Sequence, residues 1–310
     1  MPESSSTDIA TTQALFASIR TAVRLGRLDE CRALLWGNAN NIRHYLYSFE
    51  IVGSGNSFVK PYVDDALARF FQTIVLLLEK DTKGKLLEVG ANPYLMTILI
   101  KKIFEFDITL TNFFGTSVYE REVGTSKQCI RSELFGEQYD FSFRTLNIEL
   151  SDYPFPDDEF DKILFCEVLE HIVVDPLKVF GKLRKVLKPG GELILTTPNA
   201  LRLINFAHFL AGKNFFDRYH VQNGIYGRHN REFSLSEVVR LLEAEGFRVT
   251  TAKTLDRYNY DICEMFVDSY DEQTKLPWTG SELRTILASI ENASSENRGD
   301  NIYVVAERRL

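Results

Sequence analysis

Two short runs hold most of the reactive side chains. Glu167-Val168-Leu169-Glu170-His171 sets two carboxylates three residues apart, with an imidazole beside the second. Arg228-His229-Asn230-Arg231-Glu232-Phe233 places another imidazole between two guanidinium groups and a carboxylate. On a helix, a three-residue spacing puts both carboxylates on one face. Such groups suit proton removal from a hydroxyl, which requires a general base or a metal ion that acidifies the oxygen. His171 is the natural base, since an unperturbed imidazole titrates near neutrality. Glu170, His171 and His229 are therefore the expected catalytic residues. A plainer reading stands beside this one, in which Glu170 and His171 cap or pack the helix.

A third run, Glu88-Val89-Gly90-Ala91-Asn92-Pro93-Tyr94, joins a short apolar strand to a helix. Gly90 lets the backbone approach a ligand closely, and the following helix N-terminus favours a carboxylate. The loop has one glycine where a dinucleotide fingerprint has three.

The elements that must position these residues follow from periodicity. Leu15, Ile19, Val23 and Leu28 recur at helical spacing and predict a helix over 9–36, closed by Gly37-Asn38. A second helix is expected over 62–80 with Pro61 at its start, and 52–57 between them as a flexible loop. Beyond residue 85 short apolar strands alternate with helices. Strands are expected at 85–90, 108–112, 141–147, 162–166, 191–197, 247–253 and 301–307. Helices are expected at 94–105, 168–187, 200–211, 234–245 and 281–290, with Lys188-Pro189-Gly190-Gly191 as a turn. Ser234 and Glu237 form a capping-box pair. The fold class is therefore α/β, a doubly wound, Rossmann-like, mostly parallel seven-stranded sheet with an N-terminal helical cap. Residues 1–82 are read as tail and cap, and 83–310 as the main domain. Insertions facing the substrate fall near 113–140, where a hairpin is expected, near 212–231, and near 255–300, otherwise a polar linker.

In this order LLEVGANPY (86–94), NIELSDYPFPDDEFDKILFCEVLEHI (147–172) and LRKVLKPGGELILTTPN (183–199) resemble class I S-adenosylmethionine-dependent methyltransferases of the small-molecule and sugar-modifying group. The resemblance covers roughly residues 83–250. It implies S-adenosyl-L-methionine as methyl donor, with Glu88, Gly90, Ala91 and Asn92 at its methionine end. Asn112 takes the ribose place, Asn147 and Ile148 the adenine place, and Cys166 and Glu167 a place near the sulfonium. Two positions depart from the family. Asn112 stands where an acidic residue is usual, and a carboxylate would accept from both ribose hydroxyls. Asn92 and Tyr94 stand in the later glycine positions.

The carboxylate and histidine spacing is similar to the metal site of small-RNA 2′-O-methyltransferases. Carried over, it implies a divalent cation such as Mg held by Glu167, Glu170, His171 and His229; a metal-free turn is the alternative. The GRHNREF segment resembles that of methyltransferases acting on sugars or polysaccharide precursors. There Arg228 and Arg231 would hold a phosphate or carboxylate, or one would pair with Glu232 in solvent. Tyr219, His220 and Tyr226 would stack on a sugar or anchor the loop. The expected reaction is O-methylation of a sugar or glycan-like hydroxyl, with the N-terminal helices and residues 200–231 as a lid selecting the acceptor. Other small molecules and RNA 2′-hydroxyls remain alternatives, as do an NAD-dependent oxidoreductase and a non-catalytic methyltransferase-like partner.

Bulk properties narrow these. A net charge of -7 disfavours a polyanion as ligand, so nucleic acid is not the expected partner. Lys182, Arg184, Lys185 and Lys188 gather near one helix end, where they complement its dipole. The four cysteines form no CxxC pair, and no apolar run reaches the ~18–20 residues of a membrane span. A polar, Ser-rich start and scattered cysteines give a cytoplasmic location as the expectation.

Overall fold

A computed structural model describes residues 6–115, 119–120, 123–217, 224–268 and 273–309. They form two compact units: the described residues within 1–113, 121–147 and 151–164 make the first, and those within 114–120, 148–150 and 165–310 the second. The fold is α/β and Rossmann-like, a mixed sheet preceded by helices.

The first unit begins with helices α1 (Ser6–Arg24), α2 (Leu28–Gly37) and α3 (Ala39–Tyr47). The single helix expected over 9–36 is two, because Gly26 adopts a left-handed φ of 65° that breaks the hydrogen-bond ladder while apolar spacing continues across it. β1 (Glu50–Ile51) follows, then a turn closed by an Ile51–Gly55 bridge where a loop was expected. α4 (Val59–Leu77), β2 (Lys83–Val89), α5 (Leu95–Ile103) and β3 (Glu105–Asn112) come next. β4 (Val123–Ser132) and β5 (Glu137–Leu146) form the expected hairpin, with Gly136 at its turn. β6 (Phe160–Cys166) begins in this unit, and the strand order is β1-β4-β5-β3-β2-β6. β2, β3 and β5 pair parallel, whereas β4 and β1 add antiparallel. Leu86 and Leu87 of β2 are fully buried, as are Ile98, Leu99 and Ile100 of α5. A helix apolar on nearly all sides belongs inside. Tyr45 of α3 reaches Glu137 at the start of β5 through its hydroxyl, 2.8 Å away.

The second unit holds a 3-10 turn (Leu169–His171), α6 (Pro176–Val186), β7 (Leu187–Pro198), α7 (Leu203–Leu210), α8 (Leu235–Ala244) and β8 (Phe247–Leu255). β9 (Phe266–Asp268), β10 (Gln273–Lys275), α9 (Gly280–Ser289) and β11 (Asn301–Arg308) complete it, and β11 pairs antiparallel with both β7 and β8. The helix expected over 168–187 is also divided. Pro176 and the Asp175 cap, which accepts from the Leu177 N–H, start α6, and Glu149 takes the Val173 and Val174 N–H groups ahead of it. Lys188 to Gly191 lies within β7 rather than ahead of it as a turn. Residues 255–300 are more than a polar linker. β9 and β10 pair as a ribbon, and Leu203, Ala207, Met265, Leu276, Leu283 and Leu287 share one apolar cluster. The seven expected strands are β2, β3, β5, β6, β7, β8 and β11, to which the hairpin, β1 and the ribbon are additions.

Candidate active site

At the carboxyl end of β2, the chain turns through Gly90 (φ 72°) and enters α5 from Tyr94 (φ 66°). Tyr94 thus takes the left-handed conformation that glycine adopts at low cost. Gly90 and Asn92 are exposed, while Ala91 is buried. The end of β3 secures this loop. Thr111 O accepts from the Gly90 and Ala91 N–H groups at 2.9 and 3.2 Å, and Asn112 Oδ1 accepts from the Asn92 N–H at 2.9 Å. The other face of the Asn112 amide donates to Tyr94 Oη at 2.6 Å. Glu88 lies behind the loop and accepts from Thr97 Oγ1 at 2.7 Å; burial pushes its carboxyl up to about 7, only partly offset by that bond. Asn147 is 1% exposed at the end of β5.

The second unit assembles the other group. Glu167 has a φ of 55° and stands outside any helix, so the expected common helical face for Glu167 and Glu170 does not form. The Glu167 carboxylate accepts from Thr196 Oγ1 at 2.8 Å and from Asn301 Nδ2 at 3.1 and 3.2 Å. Glu170 is buried and accepts from Thr197 Oγ1 at 2.9 Å. Burial and the nearby Glu167 charge raise its pKa. Cys166 precedes the pair at the strand end, and Ile148 lies at the segment whose Glu149 binds the Val173 and Val174 amides.

Asn230 stitches the distant HNREF run onto this turn. Its N–H donates to Glu170 O at 2.7 Å, and its side chain donates to His171 O at 3.0 Å and Ile225 O at 2.8 Å. His229 is thereby brought to His171, with ring centroids 5.2 Å apart and edge to face. Ligand atoms of Glu170, His171 and His229 lie within 4.8 Å of one another; Glu167 is not among them.

Each ring has its Nδ1 fixed by a hydrogen bond. His171 Nδ1 lies 2.9 Å from Arg228 O, and a carbonyl can only accept, so Nδ1 carries the hydrogen and Nε2 the lone pair. Burial, then His229, lowers the His171 pKa. His229 Nδ1 donates to Glu232 Oε1 at 2.9 Å, again leaving Nε2. Burial pulls His229 down, but the Glu232 hydrogen bond and the charges of Glu170, Asp217 and Glu232 outweigh it, and its pKa is raised.

Glu232 is the site residue that composition and spacing undervalued. Arg202 holds it bidentately at 2.6 and 2.9 Å, and Asn205 Nδ2 donates to it at 3.3 Å. Burial opposes its charge, but His229 and Arg202 prevail and lower its pKa to about 2. Its partner is thus neither Arg228 nor Arg231. Arg228 Nε donates to Asn230 Oδ1, and Arg231 pairs with Glu237 and lies over the Phe233 ring. The three-residue step from His229 to Glu232 was the available signal; Arg202 lies thirty residues away. Tyr219 and His220 lie outside the described residues.

A family model described as a methyltransferase domain matches residues 56–252. A protein of Mycolicibacterium smegmatis described as a "probable S-adenosylmethionine-dependent methyltransferase" is 29% identical over 100 residues, which are 32% of this chain and 33% of that protein. The match thus spans about a third of that relative's length. Among solved structures, a SAM-dependent methyltransferase from Archaeoglobus fulgidus aligns at 16% identity and a TM-score of 0.46, over 80% of this chain and 93% of that one. Another from Aquifex aeolicus aligns at 15% identity and a TM-score of 0.41, over 81% and 97%.

Proposed function

We propose that this chain, which belongs to the methyltransferase-domain family, is an S-adenosylmethionine-dependent methyltransferase that methylates a hydroxyl oxygen on a sugar or glycan-like acceptor. Bound donor supplies a methyl group activated by positive sulfur. The turn at the carboxyl end of β2, where Gly90 and Asn92 are exposed, suits a ligand there. The observation that carries the oxygen-transfer reading is His171: Nδ1–H is held by Arg228 O, so Nε2 is a lone pair on an imidazole whose pKa is lowered. Its lowered pKa favours the neutral imidazole, whose Nε2 can accept a proton. The acceptor oxygen gains the methyl as its proton passes to His171 Nε2, leaving a neutral thioether. His229 stands beside it, its tautomer set by Glu232. The sugar-like acceptor is supported by the GRHNREF segment, and we assign acceptor selection to the N-terminal helices and residues 200–231.

Convergence of Glu170, His171 and His229 favours a second reading, a divalent cation. Two imidazoles and one carboxylate suit a transition metal better than Mg, which takes oxygen ligands. Glu167, committed to Thr196 and Asn301, supplies no fourth ligand in this arrangement.

The test is transfer of labelled methyl into a panel of nucleotide sugars, glycans and phenols, with and without EDTA. His171→Ala should lower kcat by about 10²–10⁴-fold while S-adenosylhomocysteine binds as before. Full activity in the His171→Ala/His229→Ala double variant rejects the assignment. Label entering only phenols rejects the acceptor class, and abolition by EDTA selects the cation.

A further inference from the structure

The resemblance to methyltransferases gives Asn112 the ribose place, yet both ends of its side chain are engaged inside the protein. It is 3% exposed. Oδ1 is engaged by the Asn92 N–H and Nδ2 by Tyr94 Oη. An amide here meets two opposite demands at once, acceptance from the loop backbone and donation to a phenol oxygen. It also meets them without charge.

Tyr94 is anchored in turn. Its ring is fully buried and stacks on Phe141 (centroids 5.2 Å apart, planes 11° apart), which stacks on Tyr139 at 5.6 Å. Tyr139 donates to Glu137, which also accepts from Lys102. The phenol is therefore fixed to the β4–β5 hairpin rather than free to follow the loop.

We propose that Asn112 and Tyr94 are positioning residues: together they brace the Gly90–Asn92 loop, and Asn112 does not grip the ribose of the donor. The sequence departs from the family at both positions for one reason. The loop has exchanged flexible glycines for a strut, and the strut consumes the residue that would otherwise face the ribose. The ribose hydroxyls then take partners other than Asn112. The assignment rests on the reading of this loop as the donor site, but the brace itself does not need a ligand to be seen.

Two measurements test it. In the ligand-free protein, Asn112→Ala and Tyr94→Phe should each speed exchange of the Asn92 amide by about tenfold, the effect of losing one ordinary hydrogen bond. Tyr94→Phe keeps the ring stack and so serves if Asn112→Ala fails to fold. Unchanged exchange in Tyr94→Phe overturns the brace. Calorimetric titration then compares S-adenosylhomocysteine with its 2′-deoxy and 3′-deoxy forms. Asn112→Ala should weaken all three by the same factor, so that removing a ribose hydroxyl costs as much in the variant as in the wild type. If that cost disappears in Asn112→Ala, Asn112 grips the ribose and the proposal falls. Absence of S-adenosylhomocysteine binding to the wild type would instead remove the donor-site reading, and exchange alone would still decide the brace.

Discussion

Glu88 titrates where it does because burial outweighs its one bond from Thr97. Its folded pKa of about 7 lies above the ordinary 4.5, so between those values the folded chain holds a proton that the unfolded chain has released. Stability therefore falls as pH rises through that window and is level above it, by on the order of 3 kcal/mol in total. Glu88→Gln keeps an acceptor for Thr97 and removes the titration. Its melting temperature should gain on the wild type as pH rises from 5 to 8; a constant gap would show that Glu88 does not titrate there. At this scale the sequence displayed residue types and concealed their partners. His171 and His229 stood out as candidate bases because imidazole chemistry is intrinsic. Asn112 was legible as a departure, but its bond to Tyr94 depends on a left-handed turn that no pattern announces. Glu232 needed Arg202, and only tertiary structure joins them.

Local signals served elements well when every requirement sat within one turn. Ser234 and Glu237 form the anticipated capping box, with Glu237 Oε2 accepting from the Ser234 N–H at 2.8 Å. Ser234→Ala should destabilise the protein by about 1 kcal/mol. Urea unfolding would register a lower midpoint at unchanged m; an unchanged midpoint would mean that α8 does not need its cap. A second box, Thr279 with Glu282, starts α9. Periodicity misled where apolar spacing persisted across a break, as at Gly26, and where a 3-10 turn preceded Pro176. Apolar repeats report which side faces the core, and they continue through a kink. α3 escaped notice because its polar residues hide a short buried stripe of Ile42, Tyr45 and Leu46.

For the molecule as a whole, the order of motifs between residues 83 and 250 was enough for the family, and the matched domain spans 56–252. Donor chemistry is common to such folds and leaves a shared text; acceptor chemistry is individual and sits in their irregular segments. Saturating S-adenosylhomocysteine, at about 100 times its Kd, should add about 2.7 kcal/mol of stability, read as a raised melting temperature. NADH should add none, and the reverse result would make the chain an oxidoreductase. No helix among the described residues is long and apolar enough to cross a membrane. The apolar cluster of α7 and α9 bears on how such a protein changes over generations. Because that stretch coheres through its own side chains, its surface can drift without unravelling what lies beneath. On the proposed assignment of acceptor selection to residues 200–231, a lineage can try new acceptors on α7 as on a cassette, and a protein engineer can do the same by grafting.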